Sequence, residues 1–153
     1  MRTLAVIVTL IAATFGASSA PDQLPLLRSL VGTWTCTYHS GSTNGTYKAV
    51  YAYDAGNNWL VERDAWTGGG DTGQFTYDSK RQKWVVVVTG SDRSTTIFEG
   101  TGNANHVSYR SVYPDANASE AIDRVSPQKY TVHFTQTVNG QTTKSNDVCV
   151  KSS

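Results

Sequence analysis

From residue 33 onward, apolar and polar residues alternate with period two. Across 33–38, Trp34, Cys36 and Tyr38 share one face of an extended segment while Thr33, Thr35 and Thr37 share the other. This is the pattern of a half-buried strand. The same period returns at 46–53, where Tyr47, Ala49, Tyr51 and Tyr53 are in phase, and strands are likewise expected at 59–66, 74–77, 83–89, 95–99, 106–113, 130–138 and 141–150. Segment 116–125, ANASEAIDRV, is compatible with a helical turn or an edge strand; strand is preferred because its surroundings all alternate. Segment 22–31 differs, since Leu24, Leu27, Leu30 and Val31 recur at near-helical spacing behind Asp22 as a possible cap, with Pro25 in the first turn. A short helix closing one end of a barrel is expected there.

The breaks between these runs are turn-like in composition. SGSTNG, DAGNN, DSKRQ, SDRS and GTGNAN separate successive strands, and Asn139-Gly140 is the strongest hairpin signal of the chain. TGGGDTG at 67–73 reads as the most flexible loop because three consecutive glycines restrain the backbone least. Nine or ten short strands without a long helical pattern predict an all-β antiparallel barrel or sandwich. The two faces of 59–66 are not cleanly distinguished: Trp59, Val61, Arg63 and Ala65 oppose Leu60, Glu62, Asp64 and Trp66, so either phase brings a charge near the interior.

Residues 1–20 change the compartment. Arg2, the apolar run at 4–15 and the small residues of GASSA before Pro21 read as a secretory signal peptide, too short and too differently flanked for a membrane span. Cleavage after residue 20 of 153 leaves 133 residues, one domain at 21–153 with enough chain for a core. The product is expected to be soluble and secreted or periplasmic. Without Arg2, 12 Lys and Arg stand against 12 Asp and Glu, a balance that argues against a nucleic-acid surface or a polybasic membrane patch.

An oxidising compartment makes a disulfide the default for Cys36 and Cys149, the only two cysteines; two free thiols are the alternative. The bond would bring the first and last strands together, as barrel closure requires. Its phase is awkward, because Cys36 shares a face with Trp34 while Val148 and Val150 read as the buried set of the last strand, leaving Cys149 with Asp147 and Lys151. A bulge, a partly polar interior that accepts Asp147 and Cys149, or a frayed end would each resolve the conflict.

The lead-in LxxLVGTW resembles the first-strand signature of the calycin superfamily. With Tyr77-Asp78, Trp84 and Glu99-Gly100 in order, and with GQFTYDSKRQKWVVVVTGSD followed by TTIFEGTG, the chain is similar to a secreted, lipocalin-like bacterial family. The resemblance implies a closed, up-and-down calycin-like β-barrel with a central cavity, and no established activity. The more distant nitrobindins, haem-binding barrels, begin with a similar LLGTW and carry an iron-ligating histidine near the end of the last strand. KSNDVCVKSS has none here, so haem is not expected, and no cofactor or metal is called for.

His39, His106 and His133 show no metal-ligand spacing and read as rim or surface residues. Glu62, Arg63 and Asp64 could supply an acid, a base and an orienting cation at the barrel mouth, although no hydrolase elbow, Walker loop or zincin motif accompanies them. GGGD at 68–71 lacks the Lys-Ser/Thr of a phosphate loop and reads as a lip of the barrel. The aromatic set is the most informative, because a cavity walled by rings with a few polar groups suits an amphiphilic molecule. The expectation is therefore an exported barrel binding a small apolar or amphiphilic molecule through Trp34, Tyr51, Arg63, Trp66, Trp84, Tyr109 and His133. Two alternatives remain. One is an enzyme using Glu62, Arg63 or Asp64, the other a structural or protein-binding module with a filled barrel.

Overall fold

The computed structural model describes residues 23–152. The expected leader and Asp22 lie outside them. The described residues form a short 3-10 helix, Leu24–Leu30, and ten strands: β1 (Gly32–Ser40), β2 (Thr43–Tyr53), β3 (Leu60–Trp66), β4 (Gly69–Asp78), β5 (Lys83–Gly90), β6 (Thr95–Asn103), β7 (His106–Tyr113), β8 (Ala118–Ser126), β9 (Lys129–Val138) and β10 (Gln141–Lys151). Each strand pairs antiparallel with the next in sequence, and β10 pairs back onto β1, so the sheet is a closed barrel without a free edge. The ambiguous 116–125 segment supplies β8. At the Asn139-Gly140 hairpin both residues have positive φ, as a two-residue turn between twisted strands requires.

The glycine-rich stretch is more ordered in form than its composition implies. Only Thr67 and Gly68 make the turn; Gly69 already belongs to β4, and Gly70 pairs with Ala65. A Cβ on Gly70 would collide with the backbone carbonyl of Asp64, so the glycine permits close approach of β3 and β4. The expected seven-residue loop is thus a tight hairpin.

One end of the barrel is densely filled. Leu24, Leu27 and Leu30 recur every three residues, the period of a 3-10 turn, so all three leucines fall on one face and are buried. Burying each contributes about 1.5–3 kcal/mol. Gly32, at φ +129°, turns the chain from this helix into β1, and the Trp34 indole Nε1 donates to the carbonyl of Leu30 at 2.7 Å. Trp34 meets Tyr130 edge-on at 4.8 Å between ring centres, and the Lys151 ammonium lies 5.3 Å from the Trp34 ring. Leu60, Phe75, Trp84 and Val107 complete the packing.

Closure is covalent as well as hydrogen-bonded. Cys36 and Cys149 are direct register partners across β1 and β10 and form a disulfide, both fully buried. The β1–β10 register runs without interruption, so no bulge reconciles the phases. Val148 and Val150 are instead 36% and 50% exposed, which corrects their expected burial, while Asp147 joins Cys149 on the inner face. A partly polar interior is the resolution.

Candidate functional site: an acidic cavity in the open half of the barrel

Away from the helix the interior is hollow. A cavity of about 480 Å³ runs toward the end where the β1–β2, β3–β4 and β9–β10 turns lie. Phase alternation determines its wall. In β3, Leu60 faces Phe75 inside the packed end, and period two then turns Glu62, Asp64 and Trp66 inward and Val61, Arg63 and Ala65 outward. By the same rule Asp71 and Phe75 of β4, Val86 and Val88 of β5, Glu120 and Ile122 of β8, Val132 and Phe134 of β9, and Ser145 and Asp147 of β10 point in. Tyr38, Tyr47, Tyr51 and Tyr109 add phenol rings.

The result is a wall with two characters. Phe75, Val86, Val88, Phe98, Val132 and Phe134 are apolar. With them stand five carboxyl side chains, Glu62, Asp64, Asp71, Glu120 and Asp147, and among the described residues no Lys, Arg or His lines the cavity. Some acids are held by neighbouring hydroxyls: Tyr51 donates to Glu62 and lies 3.1 Å from the Tyr130 hydroxyl, and Asp147 accepts from Tyr47 at 2.8 Å and from Ser145 at 2.5 Å. Gly73 leaves room for this arrangement, since a Cβ there would stand 2.9 Å from a Glu62 carboxyl oxygen. The rest meet no hydroxyl: Asp64 shares a hydrogen bond with Glu62 while its buried Oδ1 receives no hydroxyl or amide donor among the described residues, and Glu120 makes no side-chain hydrogen bond among them.

Burial and mutual repulsion favour the neutral acids. Burial, and then the nearby Asp64, hold Glu62 well above the usual carboxylate range, against the opposing donation from Tyr51. Burial, followed by Asp71, Glu120 and Asp147, pushes Asp64 up to about 8. Glu120 is raised to about 7 by burial, then by Asp147 and Asp71, and burial raises Asp71. The phenols of Tyr47, Tyr51, Tyr109 and Tyr130 are all raised, chiefly by burial, so they act as neutral donors and acceptors. Among the described residues no three His, Cys, Asp or Glu side chains are grouped to hold a metal ion.

The residues singled out from sequence divide. Tyr51, Trp66 and Tyr109 line the cavity, with Trp66 42% exposed. Trp34 and Trp84 do not: both are buried, Trp34 in the packed end and Trp84 edge-on against Tyr77 at 5.2 Å. Arg63 is exposed on the outer face of β3, and His133 is exposed on β9 with its Nδ1 2.7 Å from Asn146 Oδ1, so their expected inward placement is corrected. Asp71 and Glu120 were not anticipated. Their signal was present in the sequence as phase, Ala118-Glu120-Ile122 and Asp71-Gly73-Phe75 alternating with the exposed set, but acidic residues are ordinarily read as solvent-facing.

The chain matches no family model, and no curated protein is similar to it in sequence.

Proposed function

We propose that this protein is an exported, calycin-like barrel that binds a small amphiphilic molecule in its interior, with the Leu24–Leu30 helix as the plug of one end. The observation that carries the reading is the cavity of about 480 Å³, within the volume range of small-molecule sites and walled by aromatic, aliphatic and convergent polar groups. The lipocalin-like kinship rests on Gly32-Thr33-Trp34, Tyr77-Asp78, Trp84 and Glu99-Gly100, to which the closed barrel adds architecture. Export is supported by the buried disulfide, and no helix among the described residues is long and apolar enough to cross a membrane.

A cavity of this size weighs against the filled-barrel alternative. Arg63, the cation of the enzyme alternative, lies outside, which leaves Glu62 and Asp64 without the orienting charge that reading invoked. Native mass spectrometry of the protein recovered from its own exported fraction tests the carrier reading. A small-molecule mass lost on denaturation is the expected result; a bare chain with no added mass, from a fraction that also takes up no amphiphile, would remove the carrier reading.

A further inference from the structure

We propose that the molecule bound in this cavity is an organic cation, an aromatic or aliphatic amine whose apolar body lies on the β4–β6 wall and whose ammonium group meets Asp64 and Glu120. The inference rests on the carrier reading and narrows its ligand class.

The first support is the one-sided charge of the wall, five carboxyls without a facing base among the described residues. The second is independent of their number. Glu120, half-buried in the barrel wall and facing the cavity, makes no hydrogen bond among the described residues, and Asp64, though bonded to Glu62, keeps a buried oxygen that no hydroxyl, amide or cation meets. Neither has a cationic partner, and a desolvated carboxylate without one disfavours the fold. A bound ammonium group supplies the missing donors and charge together. The carboxyls are spread over β3, β4, β8 and β10 and not gathered as a metal set, so an extended organic cation suits them better than a bare metal ion. The β4–β6 wall supplies Phe75 and Phe98 for the apolar body, and the aromatic side chains of Tyr47 and Trp66 also line the cavity, of a kind that attracts cations.

Proton linkage follows from the same groups. The charged or titratable neighbours of Asp64 and Glu120 are Glu62 of β3, Asp71 of β4 and Asp147 of β10, with the phenols of Tyr38 on β1, Tyr47 and Tyr51 on β2, Tyr109 on β7 and Tyr130 on β9. The cavity-lining side chains of β5, β6 and β9 carry no charge. Ionisation of these carboxyls, with Glu120 at about 7 and Asp64 at about 8, strengthens the attraction for a cation as pH rises.

The test is calorimetric titration of the purified, oxidised protein with three probes sharing one ring system, 2-(1-naphthyl)ethylamine, 2-(1-naphthyl)ethanol and 1-naphthylacetate, at pH 5 and pH 8. The expected result is amine affinity at least tenfold above that of the alcohol at pH 8, a preference that shrinks at least fivefold at pH 5, and no measurable binding of the acid. The double variant Asp64→Asn, Glu120→Gln is expected to lose the amine preference while retaining the alcohol, which also reports that its cavity is intact. Equal binding of amine and alcohol at pH 8, or an amine preference unchanged in the double variant, would overturn the cation assignment and leave the carrier reading standing. Failure of all three probes to bind would count against both.

Discussion

The two halves of the barrel interior are built by the same strands in the same phase, yet they obey opposite rules. At the helical end β3 places Leu60, β4 places Phe75 and β10 places Cys149, and the space is closely filled, with a pocket of about 20 Å³, room for about one water. A few residues along, the same three strands place Glu62 and Asp64, Asp71, and Asp147 around about 480 Å³. The inward-phase cations sit at the filled end, Lys151 beside Trp34 and Arg124 lining the small pocket, away from the acids of the hollow end. One half therefore supplies cohesion and the other accepts a cost in stability. That division marks out the candidate site, the half of the interior that is both hollow and acidic.

The largest effect expected from breaking this division is loss of the closing bond in the packed half. The disulfide spans a sequence separation of 113, and on chain-entropy grounds its removal by Cys36→Ser with Cys149→Ser costs about 4–5 kcal/mol. Denaturant unfolding of oxidised and variant protein would measure it, and unchanged midpoints would show that the ladder alone closes the barrel. Trp84→Ala, also in the packed half, is expected to cost about 3–5 kcal/mol through the cavity it leaves, without altering charge in the hollow half.

The hollow half should respond to pH in the opposite sense to a stabilising salt bridge. Glu62, Asp64, Asp71 and Glu120 have folded-state pKa values raised above those of the unfolded chain, so between about pH 4 and pH 8 the folded state binds more protons. Unfolding free energy contributed by these groups is greatest below that window and falls as pH rises through it, by an amount on the order of a few kcal/mol. Thermal unfolding across the window should show the decline, and Glu120→Gln should flatten it and raise the Tm at pH 8. A Tm that climbs from pH 4 to 8 in the unliganded protein would contradict the acidic-cavity account.

The smallest effect sharpens the boundary between inside and outside. Arg63→Ala and His133→Ala, both on the outer face, are expected to change stability by no more than about 0.5 kcal/mol and to leave amphiphile binding untouched. Weakened binding in Arg63→Ala would return the guanidinium to the site.

Local pattern made the architecture legible. Tyr47, Ala49, Tyr51 and Tyr53 announce a strand with one buried face, Asn139-Gly140 announces its hairpin, and leucines three apart announce a short helical turn, because each property depends on residues within a few positions. The inward placement of Tyr51 and Tyr109 follows the same alternation, whereas that of Trp66, on one of the two balanced faces of β3, does not. The rest of the site was hidden, because acidic residues on an alternating strand look the same whether they face water outside the barrel or water within it.

Which face of β3 turned inward was a tertiary decision. Its two phases, one with Arg63 and the other with Glu62 and Asp64, are nearly balanced in polarity, and the anchoring of Leu60 against Phe75 in the packed end selects between them. In β10 the cross-strand partnership of Cys36 and Cys149 likewise overrides the hydrophobicity of Val148 and Val150 and carries Asp147 inside. Sequence alone determined that there would be strands, turns and an oxidisable cysteine pair. Closure of the barrel decided what its interior would be, because in a strand of period two a single anchored residue assigns every other residue its side.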